Sequence, residues 1–344
     1  MTDDDRFMRI ALAEARKSFG QTSPNPAVGA ILVGRSRVLA RGHHRQAGKP
    51  HAEVECLRHA RGKLPKDSTL YVTLEPCSTT GRTGPCTDEI IRSGTRSVVI
   101  GASDPNPRHR GAGIEILQKA GINVRAGVLA EECAALNEAF NKWIATGIPF
   151  VIAKCAMSLD GHLTRRKSES RWLTSSAARN HAQRLRAQVD AILVGAETIR
   201  TDNPRLTVRD GSRSRRQPVR VVLTHSGRLP RNARVFNDRF AKSTQIYRSK
   251  PLATILADLG AKNITSVVVE GGGKILGQAL DERLIDKVQI YIAPIFSGGP
   301  VTAFAGQGVS QRLEAARLER ITFEKLGNEI CVTGYPKYAT VGSA

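Results

Sequence analysis

Aromatic side chains, acidic residues and long apolar runs are all scarce in this 344-residue chain. Aromatics make up only 5%, thin for a protein that stacks single-stranded bases on Phe, Tyr or Trp. No stretch approaches ~18 consecutive apolar residues, and the opening Met1-Thr2-Asp3-Asp4-Asp5 is acidic where an export signal starts basic and then turns apolar. Export and membrane insertion are therefore disfavoured, and a cytoplasmic protein without membrane partners is expected. The six cysteines (Cys56, Cys77, Cys86, Cys133, Cys155, Cys331) are too few and too scattered for a disulfide scaffold in a chain this long. A reducing compartment and a metal site fit them better. Asp and Glu number 31 against 52 Lys and Arg, a formal net charge of +21. That excess points toward phosphorylated or polyanionic partners without choosing between them.

What is present is ordinary for a folded protein: 40% hydrophobic and 24% charged residues. At roughly 100–200 residues per domain the length favours two domains. Residues 7–19 place apolar side chains at helical spacing behind an acidic first turn. Ser23-Pro24-Asn25-Pro26 reads as a loop, Val28 to Val33 as a strand and Arg37 to Ala40 as its hairpin partner. Ala52 to Arg61, Thr87 to Ser93 and Gly113 to Ala120 read as helices, with strands at Thr69 to Leu74, Ser97 to Gly101 and Asn123 to Ala126. This alternation predicts a layered α/β domain.

A helix over Glu131 to Ala145 is expected to stop at Thr146-Gly147-Ile148-Pro149, which sets domains at 1–146 and 147–344. The second half repeats the α/β pattern. Strands are expected at Phe150 to Ala156, Ala191 to Gly195, Val219 to Thr224, Ser266 to Glu270, Lys287 to Ile292 and near Glu329 to Val332, with a helix over Lys274 to Arg283. The Arg-rich segment Arg209 to Arg216 reads as an exposed loop.

In the first half His51-Ala52-Glu53 is followed by Pro76-Cys77 and, after eight intervening residues, by Cys86. A catalytic zinc wants three protein ligands and one open position, and an imidazole with two thiolates supplies them. Glu53, at the start of a helix, is placed to move a proton without being a ligand. This is the H-x-E then P-C order of zinc deaminases acting on cytosine or adenine rings. Cys56, one helical turn on, competes as a ligand but reads as core, because His51, Cys77 and Cys86 already complete the set. Nucleic-acid deaminases usually leave two residues between the paired cysteines, so the longer loop here suits a small substrate of different shape.

The segments Pro24-Asn25-Pro26-Ala27-Val28-Gly29, Ala47-Gly48-Lys49-Pro50-His51-Ala52-Glu53-Val54, Tyr71-Val72-Thr73-Leu74-Glu75-Pro76-Cys77-Ser78, Gly81-Arg82-Thr83-Gly84-Pro85-Cys86 and Asp104-Pro105-Asn106-Pro107 carry a resemblance. The chain resembles the bifunctional deaminase-reductase family of riboflavin biosynthesis from about residue 6 to 335. The resemblance implies a cytidine-deaminase-like three-layer α/β/α domain followed by a dihydrofolate-reductase-like α/β domain. It further implies that a diamino-pyrimidinone carrying a phosphoribosylamino group loses its ring amine to water, and that Asn25, His44 and Arg82 line that substrate pocket. Thr79 and Thr80 stand where the family often has His and an aromatic or second His.

In the second half Ser266-Val267-Val268-Val269-Glu270-Gly271-Gly272-Gly273 runs from a β-branched strand through three glycines into a helix, a turn that can admit a phosphate. It is not a G-x-G-x-x-G dinucleotide fingerprint. Lys154 to Gly161, Ser170 to Thr174 and Gly195 to Arg209 look like the family's NADPH-dependent reductase half, which reduces a ribose to a ribityl chain. By similarity Ala156, Trp172, Thr198, Asp202 and the run Gly272, Gly273, Lys274, Ile275, Leu276, Gly277 and Gln278 would touch NADPH. Ser170, Arg186, Leu206, Arg209 and Glu270 would hold the substrate, with an arginine suited to its phosphate.

The chain departs from that pattern at His162, where Lys or Arg is usual, at Ser168 in a glycine position and at Thr224 in place of an aspartate. The stretch Thr244 to Asn263 looks short by a strand and loop. These departures leave a deaminase with an impaired reductase half as one alternative. A nucleic-acid base deaminase, which the charge would favour, is another; the cysteine spacing, the few aromatics and the second-half motifs count against it. The expected cofactors are Zn2+ and NADPH, and the expected partners are small phosphorylated pyrimidines and further copies of the chain, with no nucleic acid.

Overall fold

The computed structural model describes residues 2–60, 64–65, 67–80, 84–107, 109–163, 172–209 and 216–339. It divides into two compact units at Gly147 and Ile148.

The first unit opens with α1 (Asp3–Arg16), which starts earlier than apolar spacing suggests because Thr2 and Asp5 form a reciprocal capping box. Phe7, Met8, Ala11, Leu12 and Ala15 make its buried stripe. Then come β1 (Gly29–Gly34), β2 (Arg37–His43), α2 (Ala52–His59), β3 (Thr69–Leu74), α3 (Cys86–Ser93), β4 (Ser97–Ala102), α4 (Ala112–Lys119) and β5 (Asn123–Ala126). The strands form one sheet in the order β2-β1-β3-β4-β5. The first three are antiparallel neighbours and the last three parallel.

Two glycines bring helices onto this sheet. A Cβ at Gly29 would lie 2.1 Å from the Ala11 carbonyl of α1, and one at Gly42 would lie 2.3 Å from the Cys56 nitrogen of α2. Gly42 is opposite Ala30 in register, so it shares a face with Ala30 and not with Gly29. The two helices therefore cover opposite faces, giving the expected α/β/α layering. The unit ends with α5 (Ala130–Leu136) and α6 (Glu138–Thr146). The single helix expected over Glu131 to Ala145 is thus broken at Asn137, whose φ of −115° and ψ of 25° leave the helical region.

The second unit contains β6 (Phe150–Ser158), α7 (Ser176–Arg186), β7 (Ala191–Gly195), α8 (Ala196–Asp202), β8 (Val219–Thr224), α9 (Arg234–Asn237), β9 (Thr244–Arg248), α10 (Leu252–Ala261), β10 (Ser266–Val269), α11 (Gly273–Asp281), β11 (Lys287–Ala293), β12 (Arg317–Leu326) and β13 (Glu329–Lys337). Its eight strands run β12-β13-β11-β6-β10-β7-β8-β9. From β11 to β9 every pairing is parallel, and the β12/β13 hairpin closes the other edge antiparallel. Val151, Ala153, Leu193, Val267 and Val269 point to the face covered by Leu252, Ile255, Leu256 and Leu259 of α10 and Leu276 of α11. On the other face Tyr291 and Cys331 pack with Ala178 of α7, and Ala156 joins them.

The stretch Thr244 to Asn263, expected to be short of a strand and loop, contains β9 and α10, which complete a strand-and-helix crossover. Thr224, in the usual aspartate position, accepts the Gly227 N–H at 3.0 Å and closes the turn after β8. His162 sits with its Nδ1 3.3 Å from the Asp160 carboxylate. Among the described residues no helix is long and apolar enough to cross a membrane.

Candidate active sites

The first site forms where β3 ends against the starts of α2 and α3. His51 is the N-cap of α2 and Cys86 the first residue of α3, while Cys77 sits three residues past β3. His51 Nδ1 lies 3.2 Å from Cys86 Sγ and 3.5 Å from Cys77 Sγ, and the Cys86 N–H donates to Cys77 Sγ at 3.3 Å. All three donor atoms lie within 4.8 Å of one another, and among the described residues this is the one such group. The hydrogen bond from Cys86, then those from His51 and the Cys86 backbone, outweigh burial and pull the Cys77 thiol down. Cys86, hydrogen-bonded to Cys77 and buried, is pushed up.

One imidazole and two sulfurs converging at the positive ends of two helices fit a zinc ion, with a fourth position left for a ligand from solution. Cys56 faces away into the core, its thiol pushed to about 12 chiefly by burial. Glu53, in the first turn of α2, is 3% exposed. Burial first, and the negative Cys77 second, raise its carboxyl to about 7. A carboxylate so poised can both accept and return a proton near neutral pH.

Asn25 and His44 meet at the same site. Asn25 Nδ2 is 3.1 Å from His44 Nε2, and His44 Nδ1 is 3.0 Å from the Pro50 carbonyl. Since a carbonyl only accepts, Nδ1 carries the proton and Nε2 accepts from Asn25. Burial lowers the His44 pKa and keeps the ring neutral. The ring stands edge-on to His51, with centroids 5.1 Å apart. Arg82 lies outside the described residues.

The neighbouring Glu75 carboxylate, 4% exposed, is a functional group that sequence reading does not single out. It accepts the backbone N–H groups of Asp104 (3.0 Å), Gly111 (3.1 Å) and Gly113 (3.1 Å), binding the Asp104–Asn106 turn and the start of α4 to the strand that leads to Cys77. The signal available was an acidic residue directly after a buried strand.

The second unit brings Arg186 at the end of α7 against Glu270 just beyond β10. Nε and one terminal nitrogen donate to the two carboxylate oxygens at 2.8 and 2.6 Å. The side chains are 14% and 8% exposed. Burial alone would raise the Glu270 carboxyl, but the charge and hydrogen bonds of Arg186, helped by Lys154 and Arg209, hold it at about 2. The Arg186 fork is engaged by this carboxylate and by the Thr207 carbonyl at 3.4 Å. Arg209 is exposed and near enough for its charge to act on Glu270. Leu206, 2% exposed with φ of +51°, is held in a left-handed conformation that leucine rarely adopts. Lys154, two residues before Ala156 on β6, joins this cluster with its ammonium 5.5 Å above the Tyr291 ring.

Trp172 is 48% exposed, with the Arg179 guanidinium 4.9 Å over its ring. Thr198 and Asp202 lie on α8, whose start abuts α11: a Cβ at Gly195 would be 2.7 Å from Ile275 Cδ1. The glycines of the Gly-rich turn divide by role. Cβ atoms at Gly273 and Gly277 would come within 1.9 Å of the Thr302 carbonyl and 2.2 Å of the Gly306 nitrogen. Their bare faces thus admit the protein's own 302–306 segment. Gly272, the N-cap of α11, faces open space. Ser170 and Ser168 lie outside the described residues.

The fold and the sites together define a two-unit enzyme, a zinc-type pyrimidine deaminase joined to a nucleotide-dependent reductase. Residues 1–102 match the cytidine and deoxycytidylate deaminase zinc-binding region, and residues 149–332 match the RibD C-terminal domain. The riboflavin biosynthesis protein RibD of Aquifex aeolicus is 38% identical over 96% of this chain and 97% of its own, and that of Escherichia coli is 35% identical over 96% and 98%. RibD of Acinetobacter baumannii superposes with a TM-score of 0.90 at 34% identity, covering 97% of this chain and 99% of that one. The Thermotoga maritima diaminohydroxyphosphoribosylaminopyrimidine deaminase/5-amino-6-(5-phosphoribosylamino)uracil reductase superposes with a TM-score of 0.86 at 35% identity, over 97% and 99%. The chain belongs to the RibD family of bifunctional deaminase-reductases in riboflavin biosynthesis.

Proposed function

We propose that the unit ending at Gly147 replaces the ring amine of a phosphoribosylamino diaminopyrimidinone by a carbonyl oxygen, releasing ammonia, and that the following unit uses NADPH to reduce the ribosyl group of the product to a ribityl chain. The convergence of His51, Cys77 and Cys86 beside the buried Glu53 is the observation that carries the first step. Those three side chains would hold a zinc ion, which would supply the Lewis acidity for activating water at neutral pH. Glu53 takes a proton at its carboxylate and passes it to the departing amine. Asn25 and His44 orient the ring, and the neutral His44 adds no charge that would repel the metal.

In the second step Arg186 keeps Glu270 ionised, so that the buried carboxylate offers acceptors to the N–H groups of the pyrimidine. Arg209 faces the phosphate. Trp172, Thr198, Asp202 and the open face at Gly272 are the support for a cofactor site beside the α8 and α11 starts, with hydride transfer governed by orientation.

A cytoplasmic location fits six cysteines that are all free thiols. Self-association through the hairpin edge fits the exposed apolar side chains of Ile321 and Phe323 on β12 and Ile330 on β13, and light scattering of the purified chain reads it. Glu53→Gln tests the chemistry. The variant should retain about one zinc per chain and full NADPH oxidation on the deaminated substrate, while ammonia release falls ~10²–10⁴-fold. Persistent deamination would refute the assignment of Glu53, and absence of NADPH oxidation in the wild type would refute the second step.

A further inference from the structure

We propose that Asn137 is a positioning residue of the deaminase pocket, its side-chain amide fixing the loop that presents Asn25. The inference rests on Asn25 and His44 being substrate contacts, as read above.

The Ala27 N–H donates to Asn137 Oδ1 at 2.8 Å, and Asn137 Nδ2 donates to the Ala27 carbonyl at 2.9 Å. One amide thus engages both backbone groups of a single residue, as a neighbouring strand would. Ala27 is two positions from Asn25, and the next carbonyl, that of Val28, accepts the His44 N–H at 3.0 Å. The same short run of backbone therefore sets Asn25 on one side and His44 on the other, and the two side chains meet at 3.1 Å.

A residue needed only to break a helix would act through its backbone and turn its side chain to water. Asn137 does serve the break, capping α5 and preceding α6, yet it is 6% exposed and both side-chain polar atoms are used 110 positions away. An ionised aspartate at this position would only accept and a leucine would do neither, so neither reproduces the donor and acceptor pair. Asn137 also falls in 103–148, between the segments matched by the deaminase and reductase family models. That stretch is therefore part of the deaminase pocket as well as a connection between units.

Asn137→Ala should raise the deaminase KM at least tenfold and lower kcat by no more than about threefold, with zinc at one per chain. NADPH oxidation on the deaminated substrate, measured on the same preparation, should stay within twofold of wild type. Leu117→Ala, a core truncation in the same unit away from the loop, controls for loosening and should leave KM within twofold. Asn137→Ser, whose hydroxyl can bond one of the two Ala27 groups, should show a smaller KM rise; it carries the test if the alanine variant does not fold. Asn25→Ala separates the two layers of reasoning. A raised KM in Asn25→Ala with an unchanged KM in the folded Asn137 variants overturns this inference alone. An unchanged KM in Asn25→Ala overturns the pocket reading and the inference with it. Equal KM rises in Asn137→Ala and Leu117→Ala would reduce Asn137 to a general structural role and also overturn it.

Discussion

Replacing Arg186 by methionine should destabilise the second unit by about 3 kcal/mol at neutral pH and reverse its response to acid. Glu270 is held at about 2 against an ordinary value of 4.5, although burial pushes the other way. A gap of roughly 2.5 units at ~1.4 kcal/mol per unit gives ~3–4 kcal/mol, in line with the ~3–5 kcal/mol cost of breaking a buried ion pair. The sign follows from linkage. A carboxyl depressed in the fold contributes its full stabilisation above pH 4.5 and loses it as pH falls toward 2. Without Arg186, burial dominates and the Glu270 pKa rises above its unfolded value, so protonation then favours the fold and stability increases on acidification through that raised pKa. Trp143 and Trp172 are the two tryptophans, one in each unit, so a Trp143→Phe background leaves Trp172 to report urea unfolding of the second unit. An Arg186→Met/Glu270→Leu pair should recover most of the loss, because it removes both charges, while NADPH oxidation stays abolished. An unchanged acid profile in Arg186→Met would refute the account of how Glu270 is kept ionised.

Two glycine substitutions test how the sites are seated. Gly42→Ala places a methyl 2.3 Å from the Cys56 nitrogen and 2.4 Å from the Ala52 carbonyl, so α2 must shift with His51 and Glu53; zinc per chain and ammonia release should fall together while NADPH oxidation persists. In the second unit Gly273→Ala meets the Thr302 carbonyl at 1.9 Å and should lower the melting temperature, whereas Gly272→Ala meets nothing within 4 Å. Gly272→Ala should keep the melting temperature within ~1 °C and raise the NADPH KM severalfold, and an unaltered KM would remove Gly272 from the cofactor site.

The deaminase centre was legible because its chemistry is local. His51 and Glu53 occupy one helix start, Cys77 follows one strand, and Cys86 opens the next helix, so the order of elements nearly fixes the site. The layered fold was legible for the same reason, through apolar periodicity in α1 and β-branched runs in β3 and β4. The break at Asn137 escaped because it follows from a hydrogen-bonded demand at Ala27, 110 positions earlier, that no local pattern expresses. Arg186 and Glu270 were each found by resemblance, but not their mutual engagement across 84 positions. The glycines of the turn look alike in the sequence, and only the approach of the 302–306 segment distinguishes the packing of Gly273 and Gly277 from that of Gly272. The α7 helix gives little sequence signal, because it is rich in Arg and His and buries only Ala178 and Leu185, too narrow a stripe to register as periodic.

The charge of +21 belongs to this same distinction between composition and placement. Among the described residues the buried charged residues are Glu14, Glu53, Glu75, Asp190 and Glu329, against the single arginine Arg220. Folding thus withdraws carboxylates from water in preference to cations, and the groups that an approaching anion meets are more basic than the sequence total suggests. The buried acids are occupied within the fold. Glu14 faces Lys17 and Arg41, Glu75 holds three backbone N–H groups, and Asp190 accepts from Thr265. The basic excess left outside needs no site of its own. It supplies a long-range attraction for phosphorylated substrate and cofactor that fades beyond ~8 Å at physiological salt. Cations with buried partners, such as Arg186 on Glu270, are engaged within the fold and add little to that attraction.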